Sequence, residues 1–344
     1  MNSSIDLLQE LTRIPAPPGQ ETELAEMVSA KVAALGLQST MDPKGNLLVR
    51  VGPSEGNPKI VVTAHMDELG LIVTDVLPDG TLQVTNLGGV RPWKWGEGPV
   101  ELLGNEPWPG ILCFGSVHTS SSLSTTHHAE SKALEWTDTL IFTGRTTEAL
   151  EENGIGVGTR IAIARSRRAL CPVGEYISGY FMDDRADLAA WFFVLEEMAK
   201  NPPTQPILFA ATVSEEVGGE GALYLLQKVQ PDICVALELG PVVPDTPVEL
   251  CEVPTVWVKD SYASISPKDL KIVQNLGIEV QYQVLSSGGS DASCAASHGL
   301  CARPVTFGIP MENTHGFEII HRDGIDRLIE LTEAYLGAID SATI

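Results

Sequence analysis

The sequence predicts an α/β protein: a mixed, mostly parallel sheet flanked by helices, with a small β domain inserted into it. Three observations carry that reading. Strand-like apolar runs alternate with helical stretches at both ends of the chain. Between about Leu69 and Arg165 the texture changes to short strands separated by Gly and Pro turns. The length, 344 residues, is that of about two domains rather than one.

The elements follow in order. MNSSIDLLQELTR spaces Ile5, Leu8 and Leu11 as an amphipathic helix, with Ser3 or Ser4 as its cap. It has no basic head before an apolar run, which argues against a secretory signal. A second helix is expected over about Gln20 to Leu37, with Leu24, Met27, Val28 and Leu35 on one side. DPKGN (42–46) reads as a turn between strands, and Val61 to Ala64 as a strand covered on both faces. LGLIVTDV, TLQVTNL, GILCFGSV and TRIAIARS then supply the strands of the small β domain. Within it, HTSSSLSTTHH (118–128), with His118, His127 and His128, is low in complexity and reads as a surface loop. EALEENGIGVG (148–158) reads as a short helix and a turn.

After about Cys171 the α/β rhythm returns. A helix is expected from about Asp184 to Lys200, a buried strand over 206–214, a helix from about Gly219 to Val229 and a strand over 232–239. Ser266-Pro267 opens another helix, with Pro at its first position. A strand over 279–285, a helix after Gly289, a strand over 302–309 and a helix from about Asp323 complete the chain. The expected division is 1–68 and 166–344 for the larger domain and 69–165 for the insertion.

The formal charge of −23 argues against nucleic acid or an anionic membrane as a partner. It fits metal ions, cationic substrates or a generally acidic surface. No stretch is long and apolar enough to span a bilayer. Six cysteines without a CxxC pair fit reduced thiols, and hence a cytoplasmic protein.

The chemistry collects at strand ends, where open parallel sheets bind ligands. VVTAHMD ends in His65 and Asp67, FAATVSEE in Glu215 and Glu216, and CVALEL carries Glu238. GYFMDDR supplies Asp183 and Asp184 at a helix start, and GIPMENTHGFE places His315 after another strand. Each has an ordinary explanation: a helix cap, a solvated glutamate pair, a buried histidine. Their recurrence at one edge of one sheet does not, because gathered carboxylates repel unless a cation compensates them. Two imidazoles with several carboxylates suit zinc, cobalt or manganese. Of two adjacent glutamates, one can bind metal while the other acts as a general base. Asp67 is placed to accept a hydrogen bond from the His65 nitrogen that does not bind metal.

AHMDELG (64–70), MDDR (182–185), SEEVGGEGA (214–222), GGSDA (288–292) and NTHGFE (313–318) together resemble the di-metal aminopeptidases of the glutamyl, deblocking and tetrahedral (TET) group. GIGVGTRIAIA (154–164) is similar to the end of that family's insertion. The resemblance covers nearly the whole chain and implies a zinc-exopeptidase-like catalytic domain with a PDZ-like β insertion. It implies two divalent ions per chain, zinc first, with cobalt or manganese as alternatives. His65, Asp183, Glu216, Glu238 and His315 match the metal ligands, Asp183 as the bridging carboxylate. Asp67 matches the orienting aspartate and Glu215 the general base on a metal-bridging water. Asp291 and Arg185 are candidate substrate-binding residues. The resemblance also implies a homo-oligomer, often of twelve chains. Two departures mark a divergent member: Glu238 stands where the family has aspartate, and NTHGFE lacks the Ser-Pro or Thr-Pro more often found after the histidine.

The expected function is a metal-dependent aminopeptidase acting on short peptides. One alternative is an amidohydrolase or deacylase acting on a blocked or non-peptide amide, and another a non-catalytic metal-binding assembly protein. His298 reads as structural, His321 as exposed or a helix-entry contact, and Glu68 is assigned no role beyond facing solvent.

Overall fold

The computed structural model describes residues 3–119, 121, 126, 129 and 132–340. His127 and His128 lie outside the described residues; His118 is exposed. The chain begins with α1 (Ser4–Thr12), α2 (Thr22–Ala34), β1 (Ser39–Met41), β2 (Leu47–Val51) and β3 (Ile60–His65). Ser3 caps α1: its hydroxyl accepts the Asp6 N–H, and the Asp6 carboxylate accepts the Ser3 N–H.

Next come β4 (Gly70–Val76), β5 (Leu82–Leu87), α3 (Pro92–Trp95), β6 (Gly98–Leu103), β7 (Pro107–Cys113), β8 (Leu140–Phe142), α4 (Thr147–Glu152) and β9 (Arg160–Ile163). The six strands close into a barrel in the order β4-β5-β8-β7-β6-β9, which leaves no free sheet edge. Leu71, Val73, Leu102, Leu112, Ile141 and Ile161 fill it. Phe181, from the larger domain, packs edge-on against Trp95 in the same core.

The remainder is β10 (Cys171–Val173), β11 (Tyr176–Tyr180), α5 (Met182–Lys200), β12 (Ile207–Thr212), α6 (Glu220–Val229), β13 (Ile233–Pro241), β14 (Thr255–Lys259), α7 (Pro267–Asn275), β15 (Gln281–Val284), α8 (Asp291–Ser297), β16 (Arg303–Glu312), β17 (Phe317–His321) and α9 (Gly324–Asp340). The main sheet runs β1-β2-β12-β3-β13-β16-β17-β11-β10, with β14 and β15 branching from β16. Its centre, β12-β3-β13-β16, is parallel, and the strands beside it pair antiparallel. The short strands β10, β11, β14 and β17 lie outside the α/β alternation that the sequence suggests.

Alternation along the central strands sorts side chains to two faces. Ile60, Val62, Phe209, Val235 and Leu237 join the larger core beneath α1, α2, α5 and α9. Val61, Leu208, Ala210, Cys234 and Ala236 meet α6 and α8 on the other face. The same alternation puts His65, two past Thr63, and Glu238, two past Ala236, on the α6/α8 face at the carboxyl edge. The register reinforces this, since His65 lies beside Thr212 of β12.

Candidate metal centre

The expected site residues converge at that edge. His65, Asp183, Asp184 and Glu238 each offer a ligand atom, all within 4.8 Å of one another. Asp183, Glu216 and His315 form a second such set, so Asp183 belongs to both. Its Oδ1 lies 3.3 Å from His65 Nε2 and its Oδ2 3.7 Å from His315 Nε2. His315 Nε2 is 4.0 Å from Glu216 Oε2. Glu215 belongs to neither set and lines the cavity in front of them.

Local backbone explains the convergence. Asp183 and Asp184, joined by a cis peptide bond, depart from helical φ and ψ although they open α5. The main chain is left-handed at Phe181 (φ 61°), Ser214 (φ 56°) and His315 (φ 62°), each at or just before a site residue. Non-glycine residues adopt this region at a cost and concentrate at functional sites.

Two buried carboxylates hold these turns. Asp67 Oδ1 accepts the Glu215 N–H at 2.9 Å, and its Oδ2 accepts the Glu216 N–H at 3.0 Å. Glu318 Oε2 accepts the Asp183 N–H, and its Oε1 the His315 N–H, both at 3.0 Å. Asp184 Oδ2 accepts the His65 N–H at 2.7 Å. Glu318 sits inside NTHGFE, yet no role was assigned to it from sequence; a glutamate three residues past a strand-end histidine gives no sign of where its side chain points.

The imidazoles are oriented by carbonyls. His65 Nδ1 lies 3.1 Å from the Asp67 carbonyl oxygen, closer than the 3.5 Å to the Asp67 carboxylate. Asp67 thus meets His65 through its main chain and, less closely, through its carboxylate, which also holds the glutamate turn. His315 Nδ1 lies 3.3 Å from the Gly89 carbonyl oxygen, a contact from the barrel. A Cβ on Gly89 would come 3.0 Å from His315 Cε1 and Nδ1, so the close approach favours glycine. In both rings the nitrogen left for a metal is Nε2, which faces Asp183.

Burial pushes the Glu215, Glu216 and Glu238 carboxyls well above their ordinary range, and neighbouring carboxylates add to it against the opposing pull of His65. Burial also opposes charge on His65, but Asp184, Asp183 and Asp67 outweigh it and hold the imidazole pKa well above its usual value. Asp184 Oδ1, Glu216 Oε1 and both Asp187 carboxylate oxygens are buried without a hydrogen-bond partner. So many crowded acids, some with orphaned oxygens, fit divalent cations, and the mix of imidazole and carboxylate donors suits zinc, cobalt or manganese.

Two overlapping donor sets at the end of a parallel sheet, with a barrel inserted after the first histidine, accompany a family match over residues 45–331 to the M42 glutamyl aminopeptidases. The chain belongs to that family. M42 peptidases are metalloenzymes, and as a member the chain is a peptide-bond hydrolase. It is 29% identical to the glutamyl aminopeptidase of Lactococcus lactis over 69% of its own length and 66% of that relative's. It is 24% identical to the lysyl aminopeptidase of Pyrococcus furiosus over 96% of each chain. Among solved structures it superposes on aminopeptidase APDkam598 of Desulfurococcus kamchatkensis with a TM-score of 0.85 at 25% identity, covering 99% of this chain and 95% of that one. The TET1 peptidase of Pyrococcus horikoshii, which can assemble into a tetrahedron or a large octahedral shell, matches with a TM-score of 0.84 at 26% identity over 96% and 98%.

Two candidate substrate residues of this M42 chain are corrected by their surroundings. Arg185 is fully buried; it donates to the Met66 and Asp67 carbonyls and to Glu68 Oε2, and does not line the cavity. Asp291 is also buried, with Oδ2 accepting the Thr212 hydroxyl at 2.6 Å, behind the cavity rather than in it. Glu68, expected in solvent, is fully buried between Arg168 and Arg185, with Arg168 paired to both of its oxygens. His321 accepts the Asp323 N–H at the start of α9, and His298 Nδ1 lies 2.9 Å from the Cys294 carbonyl oxygen. No helix among the described residues is long and apolar enough to cross a membrane.

Proposed function

We propose that the chain removes residues from the free amino end of short peptides, using two divalent ions, zinc first, held in overlapping sets. His65, Asp183 and Glu238 would hold one ion, and Asp183, Glu216 and His315 the other. The observation that carries this reading is the sharing of Asp183 between the two sets. When bound, such ions supply Lewis acidity that polarises a carbonyl oxygen and makes water a better nucleophile.

Glu215 is the group left to move the proton. Its main-chain N–H is held by Asp67 and its carboxyl faces the cavity, outside both donor sets. A base takes up a proton from the attacking water only if its own affinity for protons is sufficient, and burial raises that of Glu215. The Glu215 carboxylate accepts the water proton and then delivers one to the departing amine nitrogen. Asp67 and Glu318 keep the donor side chains from swinging apart by fixing the backbone on both sides.

The test is a matched panel of free-amine peptides and their N-acetylated forms, assayed with zinc, cobalt or manganese supplied. Cleavage of the free-amine set alone is expected. Cleavage confined to the acetylated set would make the protein a deacylase, and bound metal without any turnover would make it a binding protein.

The proposed state is a homo-oligomer. Ile111 and Phe142 pair directly across β7 and β8, and both are exposed, with Leu140 beside them. Such an apolar patch on the outside of a closed barrel suits burial against another copy. Light scattering is expected to return several times the single-chain mass; the mass of one chain would overturn this.

A further inference from the structure

The cavity before the donor groups has a volume of about 490 Å³. Beside the donors it is lined by the apolar and aromatic side chains of Val243, Trp257, Tyr262 and Leu285 and by the small polar ones of Ser286, Ser287 and Thr314. The Tyr262 ring packs against the backbone at Gly289, where a Cβ would come 2.3 and 2.4 Å from its Cδ2 and Cε2, so glycine keeps this wall in place. Besides the donor groups and Glu215, the carboxylate that lines the cavity is Asp245, exposed on the loop that follows β13. Asp245 Oδ2 accepts the Ser286 hydroxyl at 3.2 Å. Among the described residues, no lysine or arginine lines the cavity.

This geometry points to a first substrate residue with a long, cationic side chain, lysine or arginine; the inference rests on the aminopeptidase reading. A methylene stem packs on Trp257, Tyr262 and Leu285 while its charged head reaches Asp245 at the exposed end. The Tyr262 ring adds attraction for a cation over its face. A carboxylate beside Asp245, as a glutamyl residue would bring, loses water, meets no lysine or arginine there and faces Asp245 as a like charge.

The experiment measures kcat/KM for lysyl, norleucyl and glutamyl amides of one leaving group on the metal-loaded full chain. Norleucine has the lysine stem without its charge. The lysyl amide is expected to exceed the glutamyl amide by about tenfold or more. It is expected to exceed the norleucyl amide by about two- to fivefold, a margin that shrinks with added salt. Asp245→Asn should bring the lysyl-to-norleucyl ratio close to one, and Asp245→Lys should shift the preference towards the glutamyl amide. Asp245 is exposed on a loop, so neither variant disturbs a packed element. A glutamyl rate equal to or above the lysyl rate, or a lysyl-to-norleucyl ratio unmoved in Asp245→Asn, overturns the inference while leaving the aminopeptidase reading intact. No cleavage of any of the three overturns that reading as well.

Discussion

Glu215→Gln is expected to lower kcat on free-amine peptides by about 10²–10⁴-fold, the usual contribution of a positioned general base. Metal content should stay at the wild-type level, because Glu215 stands outside both donor sets. Glutamine keeps the length of the side chain and leaves the main-chain N–H bound to Asp67. Glu216→Gln makes the useful contrast: it removes a charged donor from the second set, so loss of activity there should come with loss of metal. Metal analysis and steady-state kinetics on the two variants separate the roles. Full activity in Glu215→Gln with metal bound would place the base elsewhere.

Glu68→Gln is expected to destabilise the fold by about 3–5 kcal/mol, the penalty for breaking a buried ion pair by removing one partner. Glu68 is the carboxylate between two guanidiniums, and all three side chains are fully buried. Without its charge, Arg168 and Arg185 are left facing each other in a site that water does not reach. Urea denaturation at saturating metal measures the loss through the midpoint. An unchanged midpoint would show that the guanidiniums find other compensation. Replacing all three residues with apolar ones of similar volume should cost less than Glu68→Gln alone, since no charge is then stranded.

The parts legible in the sequence were those written locally. His65, Glu215, Glu216 and Glu238 stand at the ends of apolar runs, and a parallel strand buried on both faces announces its own end. The repeated appearance of acids at such ends brought them together before any coordinate did. What was not legible depends on contacts between distant positions. Glu318 binds an amide 135 residues away, and Glu68 an arginine 100 residues away. Neither glutamate differs in its local pattern from one facing water. Arg185 has the chemistry of a substrate clamp, and only its burial assigns it to the support of Met66 and Asp67. The flanking strands β11 and β17 pair with each other across a large gap in sequence, and neither carries a long apolar run. GYFMDDR reads as a helix start, and the left-handed Phe181 and non-helical Asp183 and Asp184 that interrupt that start are not announced by the residue types.

The ion pair between Glu68 and Arg168 has a consequence for how the gene can change. Glu68 stands just before β4 and Arg168 just after β9, so the barrel leaves and rejoins the larger domain at two points bonded to each other. Insertions whose ends already meet cost the host little, because the host chain could be joined across the gap without moving its sheet. The barrel is thus a module that recombination could exchange for another of different size. The exchange is not free, however, because the carbonyl of Gly89 orients His315 from inside the module. A replacement would need ends that meet where Glu68 meets Arg168, and a hydrogen-bond acceptor where Gly89 now stands.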